Sequence, residues 1–306
     1  MRKNVLPFLA LSLLTAVCVG AVYAQKAKPK PSPTLKTRPA IFSVIYGGSG
    51  IEPIAFVENG KLVAGGNDGS ADGSTLSKLY YKPGAKYDLI FGGVSDGTVT
   101  VKKSNVGSEC GGSSAEVTVA STKAKLKGFV MGLATNITPK GKATGLRRIP
   151  TTAERAEMES LVRAEYAKQK IASAAYKQLH YHNLTAVDVE NNGSVEFVGS
   201  YWVEPKASER GLLFFIAEKG ARGKYAFSYH TYENYTVDKV MSGQLKDLDD
   251  GVYQTLLLDA FDYDSDGTAE IFTVSKAFEG NNYSVLKRTK GTWTKVLDTY
   301  DYRCGY

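Results

Sequence analysis

The chain has 306 residues, 43% of them hydrophobic, with a net charge of +7. That is enough apolar content for a real core and length for about two domains, which excludes a disordered chain. The charge is a tail property: Arg2 and Lys3 carry +2, Lys26, Lys28, Lys30, Lys36 and Arg38 carry +5, and 7 − 2 − 5 leaves zero for the rest. The folded part therefore has no basic excess for nucleic acid.

Residues 1–24 read as a secretory signal peptide. A basic start precedes an apolar run from Val5 to Val22, and Val22-Tyr23-Ala24 sets a cut before Gln25. An uncleaved anchor is the alternative. A lipoprotein reading of Cys18 is disfavoured because Val17 is not small. After cleavage no segment is left that could insert in a membrane, so a secreted, periplasmic or cell-envelope location is expected. Residues 25–39, Pro- and Lys-rich, read as an extended linker or as a contact to anionic lipid or cell-wall polymer.

Residues 40–149 read as an all-β domain, a sandwich or barrel. Asn59-Gly60 between strand-like runs is a hairpin signal, GNDGSADGS is a polar loop, and SKLYYKPGAKYDLIFGG reads as strand, turn, strand. Residues 150–179 form the one connecting helix. Thr151 and Glu154 fit a capping box, helix formers run on through Gln178, and Met158, Leu161, Val162 and Tyr166 share a face. Cys110 and Cys304 remain after signal cleavage and in an exported chain suggest one disulfide, with a free or intermolecular thiol as the alternative.

Residues 180–306 contain a two-copy repeat. AVDVENNGSVE from Ala186 aligns with AFDYDSDGTAE from Ala260, an offset of 260 − 186 = 74. Three strand-like runs follow each acidic loop. Each copy therefore reads as strand, loop, strand, hairpin, an antiparallel four-stranded unit of about fifty residues.

In FDYDSDGTAEIF, Asp262, Asp264 and Asp266 alternate before Gly267, with Glu270 three residues on. So many carboxylates in one tight loop repel one another without a cation, and an all-oxygen shell suits calcium. An EF-hand is excluded because its twelfth position is Thr273 and the flanks read as strands. The strand-flanked pattern resembles the FG-GAP repeat, the blade unit of integrin-α-type propellers. The resemblance implies a structural calcium ion held by Asp262, Asp264, Asp266, the backbone of Thr268, and Glu270. The first copy offers Asp188, Glu190, Asn192 and Glu196 as a weaker second loop. Two blades cannot close a propeller. They pack face to face, are completed by other strands, or assemble between chains.

Weaker constellations are the acidic turn Asp247–Gly251, the histidines His180, His182 and His230 as a zinc trio, a Cys110 nucleophile, and a sugar-binding face of tyrosines with Trp202 and Trp293. The leading function is a non-enzymatic exported protein with calcium-stabilised β-repeats. It binds or scaffolds an extracellular or envelope protein or glycan. A hydrolase of glycans or esters is the second class, favoured by a deep pocket holding an acid outside the loops. A metal-free structural envelope protein is the third.

Overall fold

The computed structural model describes residues 37–65, 75–108, 110, 112–140, 142–220 and 222–304. The expected signal peptide, most of the linker and the polar loop 66–74 lie outside the described residues, which belong to one compact unit.

The first seven strands are β1 (Ala40–Ile45), β2 (Gly50–Glu58), β3 (Lys61–Ala64), β4 (Lys86–Phe91), β5 (Val94–Ser104), β6 (Ala115–Ala120) and β7 (Gly132–Thr135). They run in the order β1-β7-β4-β5-β6-β2-β3, and β1 also pairs with β2, so all but β3 close into a barrel. The expected hairpin joins β2 to β3, with Asn59 and Gly60 both at positive φ. The barrel interior holds Phe42, Phe56, Tyr80, Tyr87, Leu89 and Val99. The run LSKLY is a single π-helical turn, not the expected strand. Its Tyr80 and the following Tyr81 are buried in that interior, and Tyr87 donates to the Tyr80 carbonyl at 2.5 Å. Burying large rings here overrides the strand propensity of Leu and Tyr.

Helix α1 (Thr152–Lys168) has the expected capping box at Thr151. It buries Met158, Val162 and Tyr166, and Leu161 is partly buried against the same cluster. It stops well before Gln178 in a Schellman motif: Lys170 (φ 62) donates to Ala167 O and Ile171 to Tyr166 O, both at 3.0 Å. With lysine where glycine is usual, the sequence carries no stop signal.

The second sheet is β12-β11-β10-β9-β8, from β8 (Arg147–Arg148), β9 (His180–Val187), β10 (Glu196–Lys206), β11 (Glu209–Lys219) and β12 (Tyr225–Thr236). The third is β13-β14-β15-β16, from β13 (Thr255–Phe261), β14 (Glu270–Ala277), β15 (Gly280–Thr289) and β16 (Thr292–Tyr302). Each repeat copy is thus a four-stranded antiparallel meander, as expected, with β8 added to the first.

The layers share cores rather than standing apart. One face of the third sheet packs Leu258, Phe272, Tyr283 and Val285 against Ile41, Ile54, Ile90 and Leu133 from the outside of the barrel. Its other face packs Leu257, Ile271 and Leu286 against Val187, Val198, Phe214 and Ile216 of the second sheet. The far face of the second sheet carries α1. The two copies therefore pack face to face, one of the arrangements the sequence left open.

Two polar ties fix this stack. Asp259, at a β13 bulge, meets Arg147 of β8 at 3.3 Å and accepts from the Gly92 amide, at 2.9 Å to its nearer oxygen. Glu52 of β2 is held by Asn281 at 2.8 Å and by Tyr283 and Arg303. Cys110 and Cys304 are bridged, closing the 194-residue separation between the loop after β5 and the chain end after β16.

Candidate functional site

The acidic loops have one architecture. In the second, the Asp262 carboxylate accepts from Asp266 N and Gly267 N at 3.0 Å, Asp266 Oδ1 accepts from Thr268 N at 3.0 Å, and Glu270 Oε2 accepts from Tyr263 N at 3.4 Å. In the first, Asp188 accepts from Asn192 N at 3.1 Å and Gly193 N at 2.8 Å, Asn192 Oδ1 from Ser194 N at 2.7 Å, and Glu196 Oε2 from Val189 N at 2.8 Å. Ser265 and Asn191 hold equivalent positive φ, as do Gly267 and Gly193. The loops also touch: Ala269 N donates to Val189 O at 2.8 Å and Asn191 Nδ2 to Gly267 O at 3.3 Å.

Carboxylate oxygens of Asp262, Asp264 and Glu270 come within 4.8 Å of one another, a donor set that suits a hard divalent cation. The positive charge among them is supplied by the chain itself. Lys287 Nζ of β15 donates to Asp264 at 2.9 Å, Asp266 at 2.7 Å and Glu270 at 2.5 Å. Burial pushes the Glu270 carboxyl up to about 7 against the pull of Lys287. Burial alone would lower the Lys287 ammonium, but Asp266, Glu270 and Asp264 hold it well above the usual lysine range.

Strand register explains the placement. Continuing the pair Ile271–Leu286 by one residue sets Lys287 across from Glu270. In the first copy the pair Phe197–Ala217 sets Glu218, an acid, across from Glu196. That copy takes its cation from the other: Arg288 pairs with Glu190 and with Glu218 at 2.8 Å, and Trp293 Nε1 donates to Glu218 at 2.6 Å. Neighbouring strand residues face opposite ways, so Lys287 and Arg288 serve the two loops from one strand. Burial raises the Glu196 carboxyl to about 7. Lys287→Met should cost about 2 kcal/mol, below the fully buried case because the lysine side chain is 21% exposed. Urea unfolding measures this, and an unchanged midpoint would show the ammonium to be idle.

The weaker candidates resolve as packing. Asp249 takes Arg210 at 2.6 and 3.1 Å instead of lending a ligand to the loop. The histidines stand apart: His180 stacks on Trp202, His182 meets Phe129 edge to face, and His230 lies 3.4 Å from Glu165. Cys110 is in the disulfide, not poised as a nucleophile.

What sequence reading missed is a cleft of about 750 Å³ between β12 and the third sheet. It arises where the shared inner face changes character along the strands. On β15, Leu286 gives way to Ser284 and Asn282, on β14 Ile271 to Ser275, and on β13 Leu257 to Thr255. Registered pairs put Thr255, Ser275, Asn282 and Tyr300 in one polar row across all four strands. Around it stand Tyr235, Tyr253, Tyr302, Glu233, Lys295 and Asp298. Tyr253 sits at φ 62, anchored by its amide to Lys276 O at 2.8 Å and stacked on Tyr235 at 5.3 Å. The signal was the apolar-to-polar drift within each strand, which alternation counting averages away. Comparison with protein-family models, curated proteins and solved structures finds no match.

Proposed function

We propose that the protein is an exported, non-enzymatic binding protein that takes a glycan of the envelope or extracellular space in the cleft between β12 and the third sheet. The cleft carries the reading. Tyr235, Tyr253, Tyr300 and Tyr302 bring apolar ring surface, and Asn282, Ser284, Glu233 and Asp298 bring hydrogen-bonding groups among them. Flat apolar faces ringed by polar groups suit hydroxylated rings. Tyr253 is held in a left-handed conformation that costs about 1 kcal/mol, and such strain gathers at binding sites. Titration calorimetry against neutral and acidic oligosaccharides tests this. Asn282→Ala and Tyr300→Ala should each weaken binding about tenfold. No heat from any oligosaccharide would end the proposal.

The acidic loops are structural in this reading, as the FG-GAP resemblance implies. Asp262, Asp264, Asp266, Thr268 and Glu270 would hold calcium, and the ion would supply the charge that Lys287 brings. The two cations compete for the same carboxylates. In Lys287→Met, calcium at about a hundredfold its dissociation constant should return about 2.7 kcal/mol, a rise of several degrees in Tm. The wild-type rise should be smaller. A variant that melts identically in calcium and in chelator would remove the metal from the proposal.

One observation favours a hydrolase as the second reading: Glu233 and Asp298 are acids in a cleft outside the loops. Both are exposed, and each is tied to neighbours, Glu233 to the Tyr235 hydroxyl at 2.6 Å and Asp298 to Ser284 at 2.8 Å and Lys295 at 3.0 Å. Both carboxylates are thus already engaged by neighbouring side chains, which keeps this reading second. New reducing ends, lost in Glu233→Gln or Asp298→Asn, would put this reading first.

A further inference from the structure

A second cleft, of about 510 Å³, lies between the barrel, the first turn of α1 and the start of β9. Four of the nine most exposed large hydrophobic residues among those described, Phe129, Val130, Ile149 and Tyr181, line it. Ile149 is 80% exposed. Apolar surface gathered in one place, rather than scattered singly, marks a binding face.

The same cleft is cationic and has no carboxylate in its lining. Of its basic groups, Arg147 is committed to Asp259 and Arg148 to Glu154 through two bonds of 2.7 Å. Three others are held by no close ion pair. Lys123 is 4.0 Å from its nearest carboxylate, Asp96. Lys125 and Arg155 form no ion pair among the described residues. The Arg155 guanidinium lies 4.4 Å over the Tyr181 ring, which orders it before any ligand arrives.

A third observation is independent of charge and apolarity. Asn183 lines the cleft at 7% exposure, and its Oδ1 is buried without a hydrogen-bond partner. Its Nδ2 is already given to Thr185 Oγ1 at 3.2 Å. A buried acceptor left open costs about 1–3 kcal/mol, so the site asks for a donor such as a hydroxyl.

We infer that this cleft binds an anionic amphiphile with a hydroxylated head, a lipid of the phosphoglycerol class. The anion pairs with Arg155, Lys123 and Lys125, a head-group hydroxyl donates to Asn183 Oδ1, and the acyl chain lies on Phe129, Val130, Ile149 and Tyr181. This inference does not depend on the glycan reading, which concerns another cleft.

The test uses lysophosphatidylglycerol below its micelle concentration, followed by titration calorimetry with the purified protein. Lysophosphatidylcholine of the same chain length and glycerol phosphate are the controls. The lysophosphatidylglycerol should bind about tenfold tighter than either control, since one lacks the net charge and the other lacks the chain. Lys125→Glu with Arg155→Glu should remove about tenfold, and Ile149→Ser should weaken the lipid but not glycerol phosphate. Lys125→Glu alone, at an exposed position, covers the case in which the double variant fails to fold. Tyr300→Ala in the other cleft should leave this binding unchanged, which separates failure here from failure of the glycan reading. Equal binding of the choline lipid would overturn the inference, as would glycerol phosphate binding as tightly as the lipid or indifference to charge reversal.

Discussion

Replacing Arg147 with alanine should lower the unfolding free energy by about 3–5 kcal/mol, because it strands a buried charge. Arg147 and Asp259 have side-chain exposures of 3% and 0% and lie 3.3 Å apart. The arginine also donates to Leu258 O at 2.7 Å, and its guanidinium lies 4.3 Å over Phe91. One residue thus ties β8, β13 and the barrel. The loss should depend on pH with a definite sign. Burial pushes the Asp259 carboxyl up to about 6, opposed by Arg147 and by the amides of Ala260 and Gly92. Its unfolded value is about 4, so the folded state holds this proton more tightly. The stabilising contribution of the group is full below about 4 and is lost as pH rises through about 6. Removing Arg147 moves the folded value higher still. The variant should therefore lose more at pH 8, about two units above the folded value, than at pH 5, about one unit below it. Denaturant unfolding at both values measures this. A cost equal at the two pH values would show that Asp259 does not depend on Arg147 for its charge.

Removing the Cys110–Cys304 bridge, by reduction or by the double serine variant, should cost up to about 5 kcal/mol, since long loops lose the most closure entropy. The bridge spans 194 residues and joins the loop after β5 to the end of the third sheet. At about 2–4 °C per kcal/mol, the melting temperature should fall by about 10–20 °C. Noncovalent contacts beside the bridge remain when it opens, among them the Arg303–Glu52 pair. Ser113 N donates to Asp301 at 3.3 Å, while burial lifts the Asp301 carboxyl to about 6 and its second oxygen has no hydrogen-bond partner. Thermal melts with and without reductant, with free thiols counted in each, decide the matter. A drop of under about 1 kcal/mol would mean that the unfolded chain gains little freedom when the bridge opens.

The proposed roles divide the molecule by position. The acidic loops lie where the second and third sheets are packed tightly by apolar side chains, and the tyrosine cleft opens where that inner face turns polar. Stapling one end while the other stays open is how two stacked meanders can present a groove without losing their core.

Local chemistry was legible in the residues. The mainly-β class, the Asn59-Gly60 hairpin, the Thr151 capping box, the cysteine pairing and the fourfold strand pattern of each repeat copy all follow from signals spanning a few residues or, for the cysteines, from there being two of them after residue 24. So did the common shape of the acidic loops, since Asp262 and Asp188 fold their own backbones. Helix termination at Lys170 and the π-turn at Leu76–Tyr80 were not legible, because neither uses the residue types that mark them elsewhere.

The tertiary structure alone decided three things. It closed six strands into a barrel and stacked two sheets and a helix on it, because apolar faces on both sides of the third sheet had to be covered. It brought Arg288, 98 residues from Glu190, to the first loop, while Lys287 reaches the second loop from the neighbouring strand. And it assembled both clefts, whose residues come from strands tens of residues apart and share no local pattern. Sequence determined how each segment bends and which face it buries; only packing determined which faces meet, because that choice depends on shape and charge summed over the whole chain.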